Sequence, residues 1–363
     1  MSGTTNLSGL KTKYQNFQVP DVEILSDGAK LIATKKCEIQ ELNVDLTNGY
    51  EASGCDFVVG DCYDVDKKDF KADITAKLQI GAKIEIRLGY GKSLTNVFVG
   101  YIDAVTYEFD KLEAAAIRVS CMDAKGLLMK NRRLEAFKET KADAVVKALL
   151  SEQPVSTYIA GKTVDRCSKE AVPLRSGMKS DYEIITEQAQ KLGFEFFVVQ
   201  GKVYFIKSEK FTTPIMSITP ECPIEESSVT FSANKLVQTV EVRSIQQGNG
   251  KMLSGKARLS GARHKAAGKA SKLYNGTTQV FYEAGVDSAS EASARARVRM
   301  AAARAQYGMM EFSIVGLPEL VPGRFVKLEK FASVVDGSYY ITDIGHRFDE
   351  KGFYTLVKAR RSL

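Results

Sequence analysis

The sequence predicts an α+β protein, mainly β, in which two similar small β-barrel domains flank an α+β domain. Three observations carry this prediction. Polar–apolar alternation fills both ends of the chain, the period-2 mark of half-buried strands. Helical periodicity sits in the middle and in one Ala/Arg-rich stretch near the end. A ten-residue segment beginning at Tyr101 is echoed by another beginning at Tyr340. The implied boundaries are residues 1–125 for a first, tube-like barrel and 126–225 for the α+β domain. Residues 226–363 form the second barrel, with a basic loop (243–275) and a helix (288–307).

In the first third, Cys37 to Leu46 alternates strictly, and Lys83 to Leu88 does the same. Asn96 to Ile102 and Ala115 to Cys121 supply two more strands. Asn48-Gly49 and Gly89-Tyr90-Gly91 provide turn chemistry between strands. Short strands at this spacing suit a small barrel or sandwich.

The character changes near Met122. Lys141 to Leu150 is helix material, with Val145, Val146, Leu149 and Leu150 on one face. Ser180 or Asp181 caps a second helix running to Leu192, and Gly193 stands where a left-handed C-terminal residue belongs. Phe194 to Val199, Gln200-Gly201 and Lys202 to Ile206 read as a hairpin. Pro214, Pro220 and Pro223 mark the end of this unit.

Strands return at Ser228–Phe231 and Leu236–Val242. Gly248 to Lys272 is rich in Gly, Ala, Ser and basic residues and lacks apolar periodicity, which predicts a long exposed loop. Ser288-Ala289-Ser290-Glu291 is a capping box opening the Ala/Arg-rich helix. Four strand-like segments, from Met310 to Lys358, finish the chain.

The echo is the informative feature. Tyr101-Ile102-Asp103-Ala104-Val105-Thr106-Tyr107-Glu108-Phe109-Asp110 shares Tyr, Ile, Phe and Asp with Tyr340-Ile341-Thr342-Asp343-Ile344-Gly345-His346-Arg347-Phe348-Asp349. Upstream, Gly81 to Ile86 resembles Gly323 to Leu328. Any two antiparallel meanders share alternation and turn residues. The shared order of glycine, strand, Tyr-Ile strand, Phe-Asp turn and strand points further, to duplication of one β domain. A separation of about 240 residues excludes a solenoid, whose repeats run 20–50 residues.

At 363 residues and 39.9 kDa the chain is long enough for two or three domains. With 44% hydrophobic and 26% charged residues it is neither disordered nor fibrous. No apolar run approaches the roughly 18 residues of a membrane helix, and the N-terminus shows no secretory pattern. Six cysteines without CxxC spacing are expected to be reduced thiols, not zinc ligands.

Catalytic signals are sparse. Only His264 and His346 are histidines. His346 stands where the other copy has Tyr107, which suits a packed aromatic better than a base. Gly91-Lys92-Ser93 ends like a P-loop, but Ile86 holds the position of its first glycine and a strand follows. There is no G-x-S-x-G. A glycosidase pair would show only in three dimensions, since its two acids can lie far apart in sequence. No cofactor, metal or catalytic residue is therefore assigned.

The net charge of +7 is uneven. From Arg243 onward there are 20 basic and 10 acidic residues, against 31 and 34 before it. The candidate partner-binding residues are Lys251, Lys256, Arg258, Arg263, Lys265 and Lys269. Three readings of this segment stand: a solvated loop, a surface that docks on an acidic neighbour or lines a channel, and a nucleic-acid module. Only Tyr274 and Phe281 lie near it as stacking aromatics, which weakens the last.

Several motifs together resemble a known family. They are Ser288-Ala289-Ser290-Glu291-Ala292, Gly316-Leu317-Pro318-Glu319-Leu320-Val321-Pro322-Gly323, Asp336-Gly337-Ser338-Tyr339-Tyr340-Ile341 and Gly352-Phe353-Tyr354-Thr355. In the middle, Val172-Pro173-Leu174-Arg175-Ser176-Gly177 and Leu192-Gly193-Phe194-Glu195-Phe196 join them. Their order resembles the phage late control D and VgrG family, baseplate hubs of contractile tails. The likeness runs from about residue 75 and is strongest after Ser288.

The resemblance implies a virion or phage-tail-like particle component (phage, tailocin or cellular contractile injection system), made in the bacterial cytoplasm. It implies a homotrimer whose two barrels per chain present six similar faces. Such a ring would join a hexameric tail tube to a trimeric spike, alongside other baseplate proteins. The chain stops after the second barrel, without an OB-like domain or β-helical needle, so the spike is expected to be a separate protein. No membrane span and no specific nucleic acid are expected. The alternatives are a tail-tip cell-wall hydrolase and a basic nucleic-acid-binding module.

Overall fold

The computed structural model describes residues 7–32, 37–109, 115–135, 137–167, 175–176, 178–246, 249–260 and 264–363. The protein is α+β and mainly β. Helix α1 (Leu7–Lys13) precedes strands β1 (Pro20–Ser26), β2 (Glu38–Thr47), β3 (Gly54–Gly60), β4 (Lys83–Tyr90), β5 (Ser93–Glu108) and β6 (Ala116–Met122). Their alternation works as expected: Leu42, Val44 and Leu46 of β2 and Ile84, Ile86 and Leu88 of β4 are buried. β5 has 16 residues, enough to serve two neighbours in succession. Its first half takes β4, with Ile86 opposite Phe98; its second takes β6, with Val105 opposite Val119.

The middle packs α2 (Ala124–Lys130), α3 (Ala142–Leu149), β7 (Gly161–Val164), α4 (Asp181–Leu192), β8 (Phe194–Val199) and β9 (Lys202–Lys207) around its own core. The Ser180 side chain caps α4 and Glu183 reaches back, a complete capping box; Gly193 ends the helix at φ +67°. β8 and β9 form the expected hairpin, turning at Gln200 (φ +52°) and Gly201 (φ +73°).

The last third contains β10 (Pro214–Ile218), β11 (Ile224–Phe231), β12 (Thr239–Ile245), β13 (Met252–Arg258), β14 (Thr278–Tyr282), α5 (Ala289–Ala305), β15 (Gly308–Val315), β16 (Phe325–Leu328), β17 (Gly337–Asp349) and β18 (Gly352–Arg361). One continuous sheet runs β11-β15-β18-β17-β2-β3-β6-β5-β4-β1, with β16 on β17 and β10 parallel to β16. The two ends of the chain therefore meet edge to edge, at β2 and β17. They also share one buried cluster, in which Leu42, Ile86 and Phe98 join Ile314, Val326 and Ile341.

Two local expectations change. The segment read as a basic loop over 243–275 is partly regular: β13 pairs with β12, which also takes β14 in parallel. The period was invisible because the inward positions of β13 are Gly255 and Ala257, too small to register as apolar. α5 then lies on this small sheet; a Cβ on Gly255 would come within 2.1 Å of the Ser293 backbone nitrogen. The second change is at Ser288. It caps α5, but the Glu291 carboxylate accepts from the Asp287 N–H instead of closing a capping box.

Candidate functional site: a repeated strand junction and a basic face

The echo extends to backbone detail. In the first copy Lys83 lies opposite Tyr101; in the second, Phe325 lies opposite Tyr340. Gly81 donates to the Ile102 carbonyl and Ile102 to that of Ala82, at 2.8 and 3.0 Å. Gly323 donates to the Ile341 carbonyl and Ile341 to that of Arg324, at 3.0 and 2.8 Å. Both glycines have positive φ, +89° and +78°, which an L side chain rarely adopts. A β-bulge follows each Tyr-Ile pair, at Asp103 and at Thr342.

The correspondence covers five strands in each copy. β3 and β15 occupy the same place, since Cys55 pairs Cys121 where Met310 pairs Ala359. β2 and β11 correspond as well: Val44 pairs Cys55 and Val229 pairs Met310, with bulges at Gln40 and Glu225. Two coincident bulges and one shared register are more than generic meanders would produce. In the sequence the likeness of β2 to β11 shows only as the alternation of Val44 and Leu46, matched by Val229 and Phe231.

The copies meet where β17, past its bulge, pairs antiparallel with β2. Partners run from Asp343 opposite Thr47 to Phe348 opposite Leu42. Ile344, His346, Val44 and Leu46 are buried there. Arg347 closes the seam with an ion pair to Asp45 at 2.6 Å. The His346 ring meets Thr355 Oγ1 through Nδ1 (3.0 Å), and burial, aided by Arg347, holds its pKa down to about 3. That is a packed neutral imidazole, poorly suited to take up protons near neutral pH.

The copies diverge where they face the helical unit. Tyr101 touches Met122 Sδ at 3.9 Å. The equivalent pair is Tyr340 and Arg360, and it encloses buried Glu195 of β8. The Tyr340 hydroxyl donates to Glu195, and Arg360 lies 3.1 Å from its other oxygen. Burial nonetheless raises the Glu195 pKa. Where the first copy has Met122, the second has Arg360, which joins Tyr340 on Glu195 of the α+β unit.

The basic candidates occupy the outlying sheet and its following turn. Lys256 and Arg258 point outward from β13, and Lys256 lies 3.5 Å from Glu241. Lys251, Lys265 and Lys269 are exposed on flanking turns. Arg263 lies outside the described residues. His264, in the same segment, bridges Tyr307 (2.8 Å) and the Val334 carbonyl (2.9 Å), a structural role.

Among the described residues, no cluster of His, Cys, Asp and Glu could hold a metal ion, and no helix is long and apolar enough to cross a membrane. Five of the six cysteines are buried as free thiols; the sixth, Cys167, is half-buried.

A duplicated strand meander around a helical unit is the fold of solved tail proteins. The 43 kDa tail protein of prophage MuSo2 from Shewanella oneidensis superposes with a TM-score of 0.71 at 14% identity, covering 94% of this chain and 98% of that one. A tail protein from Neisseria meningitidis MC58 gives 0.68 at 13%, covering 94% and 97%. The E. coli c3393 protein, a type VI secretion component described as structurally similar to T4 tail proteins gp27 and gp5, gives 0.55 at 10%, covering 93% and 76%. The chain belongs to the family described as the Alg8 N-terminal domain, whose model matches residues 16–350. No curated protein matches it in sequence.

Proposed function

We propose that the protein is a structural hub of a contractile-tail baseplate or a related injection machine. Three copies would form a ring of six similar β modules, able to bond a hexameric tail tube on one face and a separate trimeric spike on the other. The observation that carries this reading is the duplication itself, with register and bulges kept in both copies. A threefold assembly of two-module chains offers sixfold-like surfaces, which single-module chains in threes would not. The tail-protein fold supports the setting. The work of such a part is symmetry matching and load bearing, and the exposed basic residues of the outlying sheet would dock on an acidic neighbour.

The test is stoichiometry. Light scattering of the chain, alone and mixed with the tail-tube and spike proteins of the same particle, should give three copies per complex. A monomer in both samples would dismiss the hub.

A further inference from the structure

The chain makes one strand junction between its two modules and carries the parts for a second. Past its bulge, β17 takes β2 on one edge. The equivalent edge of β5, from Ala104 to Glu108, takes no strand among the described residues, where β5 pairs only with β4 and β6. β11, the counterpart of β2, ends the sheet and, among the described residues, pairs only with β15. Each chain thus exposes one socket, in its first module, and one tongue, in its second, whose counterparts are already joined inside the same chain.

Exposure follows the same division. At the joined seam His346 is fully buried, while its counterpart Tyr107 is 45% exposed. Val44 and Leu46 are buried, but their counterparts Val229 and Phe231 are only partly so. At the open edge Tyr107 and Phe109 pack against Phe70, with ring centres 5.0 and 5.5 Å away. An unpaired edge beside exposed aromatics is a template for an added strand.

We propose that β5 of one copy pairs antiparallel with β11 of the next, in the register of the internal seam. Transferring the partners through the repeat places Val105 opposite Phe231, Thr106 opposite Thr230, Tyr107 opposite Val229 and Glu108 opposite Ser228. The occupant is a second copy of this chain, because the matching tongue and its bulge are encoded here. The contact is heterologous, head to tail. If the internal and external junctions turn alike, modules alternate around a ring, whose size the hub reading sets at three chains. The Arg347–Asp45 ion pair is not repeated: Glu108 and Thr230 stand at those positions. The external seam therefore lacks that clamp and is the weaker joint, suited to assembly on demand. This rests on the hub reading above and adds to it the edge and the register.

The test is disulfide trapping. Thr106 and Thr230 are exposed, so Thr106→Cys and Thr230→Cys together should leave the fold intact, which circular dichroism checks. Directly opposed side chains have Cβ atoms about 4.5–5.5 Å apart, close enough to bridge with little movement; a two-residue diagonal is about 7–8 Å, too far. Oxidation of T106C/T230C should give linked species ending at three chains on a non-reducing gel. The shifted pair T106C/S228C should remain mostly unlinked, as should the wild type. Trimers by light scattering with no T106C/T230C linkage, or equal linkage of the shifted pair, would overturn the register and leave the hub standing. Linked ladders running past three chains would overturn ring closure. A monomer throughout, alone and with the tube and spike proteins, would remove both.

Discussion

His346 shows what the seam does to a titratable group. Its Nδ1 faces Thr355 Oγ1 at 3.0 Å, and that hydroxyl also accepts the Leu317 N–H at 3.0 Å. The ring is neutral and fully buried. Its folded pKa, about 3, lies below the ordinary value of 6.5. The unfolded chain therefore binds a proton that the folded chain refuses, and stability falls as pH drops from 6.5 toward 3. Buried Glu195 and Asp123, whose pKa values burial raises, act in the opposite sense, so the comparison must be with a variant. His346→Phe should lose less stability than wild type between pH 7.5 and 5 in urea unfolding. The difference in slope should approach about 1.4 kcal/mol per pH unit below 6.5. Identical slopes would mean that the imidazole does not stay neutral.

At the scale of elements, β13 and α5 are closely apposed. α5 presents Ala292 and Ala296 to the sheet, and Gly255 admits the helix backbone where no side chain fits. Gly255→Ala drives a methyl group into the Ala292–Ser293 peptide, so helix and strand must separate. The expected cost is about 1–3 kcal/mol, read as a lower urea midpoint with an unchanged far-ultraviolet spectrum. An unchanged midpoint would show that the helix is free to shift. The same contact explains where sequence reading stopped. Large alternating residues made β2, β4, β17 and β18 legible, and capping residues made α4 and α5 so. A strand whose buried positions are Gly255 and Ala257 has alternation in space but none in hydropathy. The seam between β2 and β17 joins residues some 300 positions apart, and no local pattern encodes such pairing. The duplication was legible as Tyr-Ile and Phe-Asp pairs; its register was not.

Across the whole molecule, charge and duplication are separate devices. The repeat fixes geometry, while the basic excess of the last third gathers on an outlying unit that has no counterpart in the first copy. Lys256 and Arg243 are partly spent on Glu241, and Arg299 on Glu283. Lys251, Arg258, Lys265 and Lys269 are exposed and make no ion pair with the described residues. Reversing Lys256 would set a carboxylate beside Glu241 and strain the hairpin, so it belongs in no binding test. Reversal of the other four to Glu alters only solvated charges, and each should change stability by no more than about 0.5 kcal/mol. If the unit docks on an acidic ring, the quadruple variant should assemble with the tail tube at least tenfold more weakly. Its remaining affinity should also no longer fall as salt rises, because screening then weakens a repulsion instead of an attraction. Wild-type affinity and salt response in a folded quadruple variant would make these residues a solvated face and leave docking to the sheet edges alone.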